Sequence, residues 1–400
     1  MHFQSVTNSS EATTQTLRVA AVPTRKPRIC FVAPAAWPVL SGATDIPVVG
    51  GAEVQQSLLA RGLAATGYDV SMVCLDYGQP EQAVVDGVTV FKAFRPDEGL
   101  PGLRYIYPRL TQMLGALRRA DADLYYQRST AMLTGVVAWF CSRNRRKSVY
   151  AAASDIDFLP GKQQIDYRRD RWLFEFGLRN VDEIVVQNQR QQADCLDNYH
   201  RNATLIPSCC RPVAAPRDPN EILWVGTIRS YKRPEIFLNL ARCLPQFCFT
   251  MVGGPGGSDS SSINYFRAIE AAAKSIPNLR FHGFVPYSEV DSYFDRARVF
   301  VNTSLYEGFP NTFLQSWARG VPVVSYFDTG SRHNKDAVVR VVADEPAAAI
   351  QISTLMSNAR DWRTASQRSL EHFSDVHSVD SAVSRYARLF SRMGIVPALA

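Results

Sequence analysis

The chain has 400 residues, 46% apolar and 20% charged, with a formal net charge of +7. At roughly 100–200 residues per domain this fits two globular domains, each with its own core. It excludes a membrane-spanning helix, because the longest apolar stretch, near Leu133 to Cys141, is far shorter than the about 20 residues a bilayer requires.

Residues 1 to 24 are rich in Ser, Thr, Asn and Gln and have no continuous apolar segment, which argues against a secretory signal and predicts a disordered tail. Arg28 to Ala33 reads as a first strand, and Pro34 to Gly51 as a Pro- and Gly-rich loop. A helix is predicted over Ala52 to Ala65, with Val54, Leu58, Leu59 and Leu63 on one face, and then a strand over Val70 to Leu75. That order is a βαβ unit, which builds parallel sheets. The alternation continues with a helix at Leu110 to Arg119, a strand at Asp123 to Gln127, a helix at Thr130 to Ser142 and a strand at Ser148 to Ala153. A helix at Tyr167 to Arg179, a strand at Glu183 to Gln187 and a helix at Gln189 to Tyr199 complete a first domain, residues 25–209.

Residues 210–220 hold three prolines and no periodicity, as linkers do. A second βα series then runs over residues 221–375. Its strands are Ile222 to Val225, Phe247 to Val252, Leu279 to His282, Val299 to Thr303 and Val321 to Ser325, with helices between them, among them Ser288 to Ala297 and Phe313 to Arg319. The expected fold class is α/β, two doubly wound parallel-sheet domains facing a central cleft at the carboxyl ends of their strands. The eight cysteines show no CxxC pair and no zinc spacing, and read as buried reduced thiols.

Chemistry is expected in the loops at those strand ends. Glu307 to Gln315 (EGFPNTFLQ) leads into a helix whose free N–H groups and partial positive charge suit phosphate oxygens, with Asn311 as the cap. A plain capped helix with a solvated Glu307 fits the same residues. Val225 to Arg233 (VGTIRSYKR) places Gly226 at a strand end with Arg229 and Lys232 behind it, two cations for a leaving diphosphate or a solvated basic loop. Gly50-Gly51-Ala52-Glu53 allows a close backbone approach, or is a tight turn. Asp155 and Asp157 follow another strand end, where they orient a hydroxyl or act as a base, or cap a turn.

These motifs in this order resemble the retaining glycosyltransferases of the GT-B fold, specifically family 4, the glycosyltransferase-1 domain type. The resemblance runs from about Arg28 to Met393, and its most specific stretch is Leu279 to Ser325. It implies that Arg229 and Lys232 bind the donor diphosphate. It implies further that Glu307, the first Glu of an E-x7-E motif, contacts the donor sugar. Phe309, Pro310, Asn311 and Thr312 match the loop that meets sugar and phosphate. Gly51 and Gly226 match the glycines near the diphosphate, and Phe284 and Val285 the backbone that holds the nucleobase. Two positions depart from the pattern. The second Glu is Gln315, which bonds a hydroxyl without charge, and where the family has a His after the strand ending at Ala153 this chain has Ser154-Asp155-Ile156-Asp157, so that either Asp155 takes over the position or the role is absent.

The resemblance implies a nucleoside-diphosphate sugar as donor (a UDP- or GDP-sugar), a glycan or lipid-linked acceptor, and polysaccharide or glycolipid synthesis. It implies no bound metal and no required cofactor. It also implies a C-terminal helix, residues 376–400, that crosses back to the first domain. Arg143, Arg145, Arg146, Lys147, Arg168, Arg169 and Arg171 give the first domain a basic face suited to an anionic membrane or simply to solvent, and a cytoplasmic protein, peripheral at the inner membrane face, is expected. A protein that binds a nucleotide sugar and transfers it poorly is the alternative. The lack of GxGxxG after the first strand argues against a dehydrogenase, and the lack of aromatics interleaved on a basic face argues against nucleic-acid binding.

Overall fold

The computed structural model describes residues 25–42, 50–99, 105–163, 165–213, 218–307 and 309–397; the tail expected over 1–24 lies outside them. The first sheet contains β1 (Arg28–Val32), β2 (Asp69–Cys74), β3 (Gln82–Val85), β4 (Val88–Lys92), β5 (Leu124–Arg128), β6 (Lys147–Ala151), β7 (Glu183–Val186) and β8 (Thr204–Leu205). Their spatial order is β3-β4-β2-β1-β5-β6-β7-β8, and only β3 with β4 is antiparallel. The second sheet contains β9 (Glu221–Val225), β10 (Cys248–Val252), β11 (Leu279–Phe281), β12 (Ala297–Asn302) and β13 (Val323–Ser325). A small hairpin of β14 (Arg332–His333) and β15 (Asp336–Ala337) then precedes β16 (Val339–Val341). The second sheet is parallel throughout, in the order β11-β10-β9-β12-β13-β16.

Both sheets are covered on both faces, which explains why their strands read as continuous apolar runs. Side chains alternate across a strand. Ile29 and Phe31 of β1 therefore enter one core and Cys30 and Val32 the other. The first of these cores receives helix α2 after the short α1 (Trp37–Ser41): Leu59 and Leu63 of α2 (Gly51–Ala64) are buried in it. The opposite face is covered by α3 (Thr111–Ala120) and α4 (Leu133–Asn144), through Met113, Leu117 and Phe140. Helices α5 (Arg168–Asn180) and α6 (Gln189–Tyr199) complete this domain.

In the second domain Ile222 and Trp224 of β9 face one core and Leu223 the other. Helices α7 (Pro234–Cys243), α8 (Ser260–Lys274) and α11 (Glu345–Ser357) serve the first of these, and α9 (Tyr287–Phe294) and α10 (Asn311–Trp317) the second. After α12 (Ala359–His372) the chain passes back: Val383, Tyr386, Leu389 and Phe390 of α13 (Val379–Arg392) are buried in the core of the first sheet, and Tyr386 OH lies 3.1 Å from Tyr126 OH. The two crossing segments lie side by side. Cys210 N donates to His377 O at 2.9 Å, and His377 Nδ1 lies 2.7 Å from Ser208 O.

The reading of the sequence and the structure differ in a few elements. The β3–β4 hairpin was not expected, although Asp86-Gly87 between valine runs is a hairpin signal, and both residues have positive φ (48° and 78°) as a type I′ turn requires. Helix α10 begins at Asn311 rather than Phe313. Of the cysteines, Cys30, Cys74, Cys141, Cys195 and Cys209 are buried free thiols, with burial pushing Cys30 up to about 12, but Cys243 and Cys248 are exposed.

Candidate active site

The carboxyl ends of the two sheets face each other, so the loops after β6 and β7 oppose those after β12 and β13. Between them is a cleft of about 680 Å³. The first domain contributes Asp155, Asn188 and Arg190 to its wall, the second Glu307, Phe309 and Arg332, and the returning segment His372 and His377.

Glu307 is held by two contacts. Lys232 Nζ lies 2.6 Å from its Oε1, and Ser304 Oγ donates to the same oxygen at 2.8 Å. Both charged side chains are mostly buried, at 17% and 16% exposure, so this ion pair is better shielded from screening than a surface pair. Its geometry comes from Thr303, at the end of β12. Thr303 Oγ1 donates to Lys232 O at 2.5 Å and accepts from Trp224 Nε1 at 3.0 Å, while Arg233 Nε donates to Thr303 O at 2.8 Å. Those bonds tie the loop after β9 to the loop after β12. Thr303 and Ser304 were not singled out from the sequence, where nothing marks a hydroxyl as a loop anchor.

Arg229 leaves the same loop in another direction. It is exposed and donates to Gly256 O at 2.5 Å. Gly226 lies beside Lys232: a Cβ there would stand 3.3 Å from Lys232 Cδ. The neighbouring strand end is tighter still, since a Cβ on Gly253 would stand 1.9 Å from Gly226 O. Phe284 is 45% exposed after β11, and Val285 packs partly buried on the core beneath.

Asp155 and Asp157 separate in the structure. Asp155 borders the cleft, and its Oδ1 accepts from Asn188 Nδ2 at 3.0 Å and Gln191 Nε2 at 2.8 Å. Asp157 is buried and accepts from Tyr150 OH, Thr130 Oγ1 and the amides of Ala153 and Ser154. Burial raises its carboxyl above the ordinary range, and those four donors oppose the rise. It is a structural anchor of the turn, so the pair does not act as two carboxylates on one substrate.

Solved structures share this architecture. Sucrose-phosphate synthase from Thermosynechococcus elongatus superposes with a TM-score of 0.71 at 18% identity, covering 92% of this chain and 99% of that one. Alr3699/HepE from Anabaena, in complex with UDP and glucose, gives 0.69 at 14% identity, covering 92% and 100%. A glycosyltransferase from Rickettsia africae gives 0.64 at 12% identity, covering 92% and 98%. No curated protein matches the sequence. The family model described as "Glycosyl transferase 4-like domain" matches residues 50–207, and "Glycosyl transferases group 1" matches residues 219–358. The chain belongs to the GT-B glycosyltransferases.

In this glycosyltransferase the loop from Glu307 into α10 departs from the sequence reading at two places. Pro310, not Asn311, is the N-cap, and it makes no side-chain cap; Asn311 is the first helical residue and its side chain turns to the other domain. Gln315 is buried and donates to Asp291 Oδ1 of α9 at 3.1 Å, so its amide is already engaged. Thr312 follows Asn311 half-buried, its carbonyl accepting from Ser316 Oγ. Phe309 packs against His377, ring centroids 4.9 Å apart, and against Trp317. His377 thus joins the crossing point to the loop of the transferase's candidate site. Burial lowers its pKa to about 3, which keeps the ring neutral. No sequence signal marks that role, because a lone histidine between helices has no local pattern.

Proposed function

We propose that this glycosyltransferase moves a sugar from a nucleoside diphosphate to an acceptor hydroxyl with retention at the anomeric carbon. The observation that carries the reading is Glu307 on one wall of the cleft, held by Lys232 at 2.6 Å, with Asp155 on the other wall. Glu307 accepts hydrogen bonds from sugar hydroxyls, and Asp155 contacts the sugar from the first domain. Lys232 and Arg229 meet the diphosphate, together with Gly51, Gly226 and the loop Phe309 to Thr312. Phe284 and Val285 hold the base. The bond from the anomeric carbon to the β-phosphate oxygen breaks, the acceptor oxygen bonds to that carbon on the same face, and the acceptor proton passes to the departing phosphate. Fixed cations are worth most where that negative charge develops.

The UDP and glucose in the Anabaena structure support a uridine donor. The acceptor is a glycan or lipid-linked glycan, in polysaccharide or glycolipid synthesis. No helix among the described residues is long and apolar enough to cross a membrane. We place the protein in the cytoplasm, and peripheral membrane contact is supported by α5, where Trp172 is 64% exposed and stacks on Phe176, with Arg168 and Arg179 exposed on the same helix. A second reading, a nucleotide-sugar-binding protein with feeble transfer, draws on the engagement of Gln315 by Asp291.

The test is binding and slow hydrolysis across UDP-, GDP- and ADP-sugars, with Glu307→Ala and Arg229→Ala beside the unaltered protein. Nucleotide release from one donor, lost in both variants, supports transfer through this site. Binding without release supports the second reading, and no binding to any donor overturns both.

A further inference from the structure

Gln55 is a glutamine in the apolar-patterned helix α2, only 5% exposed, and every polar atom of its carboxamide is used. Its Oε1 accepts from Cys209 N at 2.8 Å. Its Nε2 donates to Cys209 O at 2.7 Å and to Asn311 Oδ1 at 2.8 Å. The Asn311 amide is thereby oriented, and its Nδ2 donates to Gly51 O at 3.2 Å. One carboxamide therefore joins a helix of the first domain, the segment crossing between domains, and the first turn of α10 in the second. Gly51 is part of the fit, because a Cβ there would stand 2.9 Å from Asn311 Nδ2.

We propose that Gln55 is a positioning residue for the transfer reaction: through Asn311 it clasps the two domains so that the Gly51 loop and the Glu307 loop are held at working distance before the donor arrives. Only an amide fits all three partners. Glutamate would set a carboxylate against two acceptors, Cys209 O and Asn311 Oδ1, and an apolar side chain would leave the Cys209 backbone groups unpaired. The contact joins the first turn of α10 directly to the first turn of α2, so it fixes the spacing of the two domains close to the Glu307 loop. Without it, the binding-competent arrangement is one of several, and apparent affinity falls by the fraction lost.

The test uses the full chain with two variants. Gln55→Met keeps the volume and removes every bond; Asn311→Ala removes only the arm between domains and leaves Gln55 on Cys209. X-ray scattering without nucleotide reads domain closure and needs no knowledge of the donor. Both variants are expected to show a larger radius of gyration than the unaltered protein, and saturating UDP to restore part of the compaction. The control is Leu355→Ala, which opens the second domain's core far from the clasp and is expected to lower the melting temperature with no expansion. Unchanged scattering in Asn311→Ala overturns the proposal, as does equal expansion in the control. The kinetic half rests on the transfer reading above: UDP binding weakens by about fivefold for each hydrogen bond lost, and donor KM rises more than kcat falls. Should Gln55→Met fail to fold, Asn311→Ala carries the scattering measurement alone, because Asn311 also belongs to the loop proposed to meet the diphosphate.

Discussion

Lys232 Nζ and Glu307 Oε1 lie 2.6 Å apart, so the ammonium behind the cleft-lining Glu307 is balanced by its carboxylate before any ligand is bound. Glu307→Gln removes that balance and frees Lys232 for phosphate. UDP binding, measured by calorimetry, is expected to hold or strengthen, while transfer falls about a hundredfold, the usual scale for one donor or acceptor aimed at the reacting group. Lys232→Ala leaves a mostly buried carboxylate without its counter-charge, held by Ser304 Oγ, and is expected to weaken both.

Asp155 and Asp157 are two residues apart and are predicted to respond oppositely to the same change. Asp157→Asn breaks a buried carboxylate's set of four donors and is expected to cost about 2 kcal/mol or more in urea unfolding. Asp155→Asn keeps an oxygen for Asn188 and Gln191, so stability is expected to move by no more than about 0.5 kcal/mol. Its effect belongs in turnover.

The crossing point is predicted to be acid-sensitive. Burial holds His377 at about 3 and His372 at about 4, both below the ordinary histidine value of 6.5. Between those values and 6.5 the unfolded chain binds protons that the folded chain does not, so folding stability falls as pH drops through that window and is level above it. The slope is expected to approach about 1.4 kcal/mol per pH unit for each histidine. Urea unfolding at pH 7.5, 6.0 and 5.0 checks it, and His377→Gln is expected to flatten the curve even though it starts lower.

Trp172 gives a membrane test. Sedimentation with vesicles of mixed anionic and zwitterionic lipid is expected to retain the unaltered protein, and Trp172→Ala together with Arg168→Ala to release it. Equal sedimentation with purely zwitterionic vesicles would mean that charge plays no part.

Gly253→Ala is expected to destabilise the second domain by about 1–3 kcal/mol, the ordinary cost of overpacking, because its Cβ would meet Gly226 O at 1.9 Å. Calorimetric melting reads it directly.

Much of the fold was legible because its signals are local. Continuous apolar strands such as Arg28–Val32, and helices with a 3.6-residue repeat, announce themselves within a few residues. The Asp86-Gly87 hairpin signal is equally local, but it is only two residues long between short valine runs. The strand-end positions of the loops that carry Arg229, Lys232, Glu307 and Asp155 were legible too, since each apolar run stops where its loop begins.

By itself, then, the sequence determined the order of elements, the two sheets and the loops that border the cleft, since apolar period and turn chemistry act over short spans. The tertiary structure alone decided what each side chain does there. Lys232 and Glu307 are 75 residues apart and Gln55 and Asn311 are 256 apart, and no short-range pattern encodes a partner at that distance. Positions two residues apart diverge for the same reason: burial and the donors brought in from Thr130 and Tyr150 made Asp157 an anchor, and left Asp155 facing the cleft.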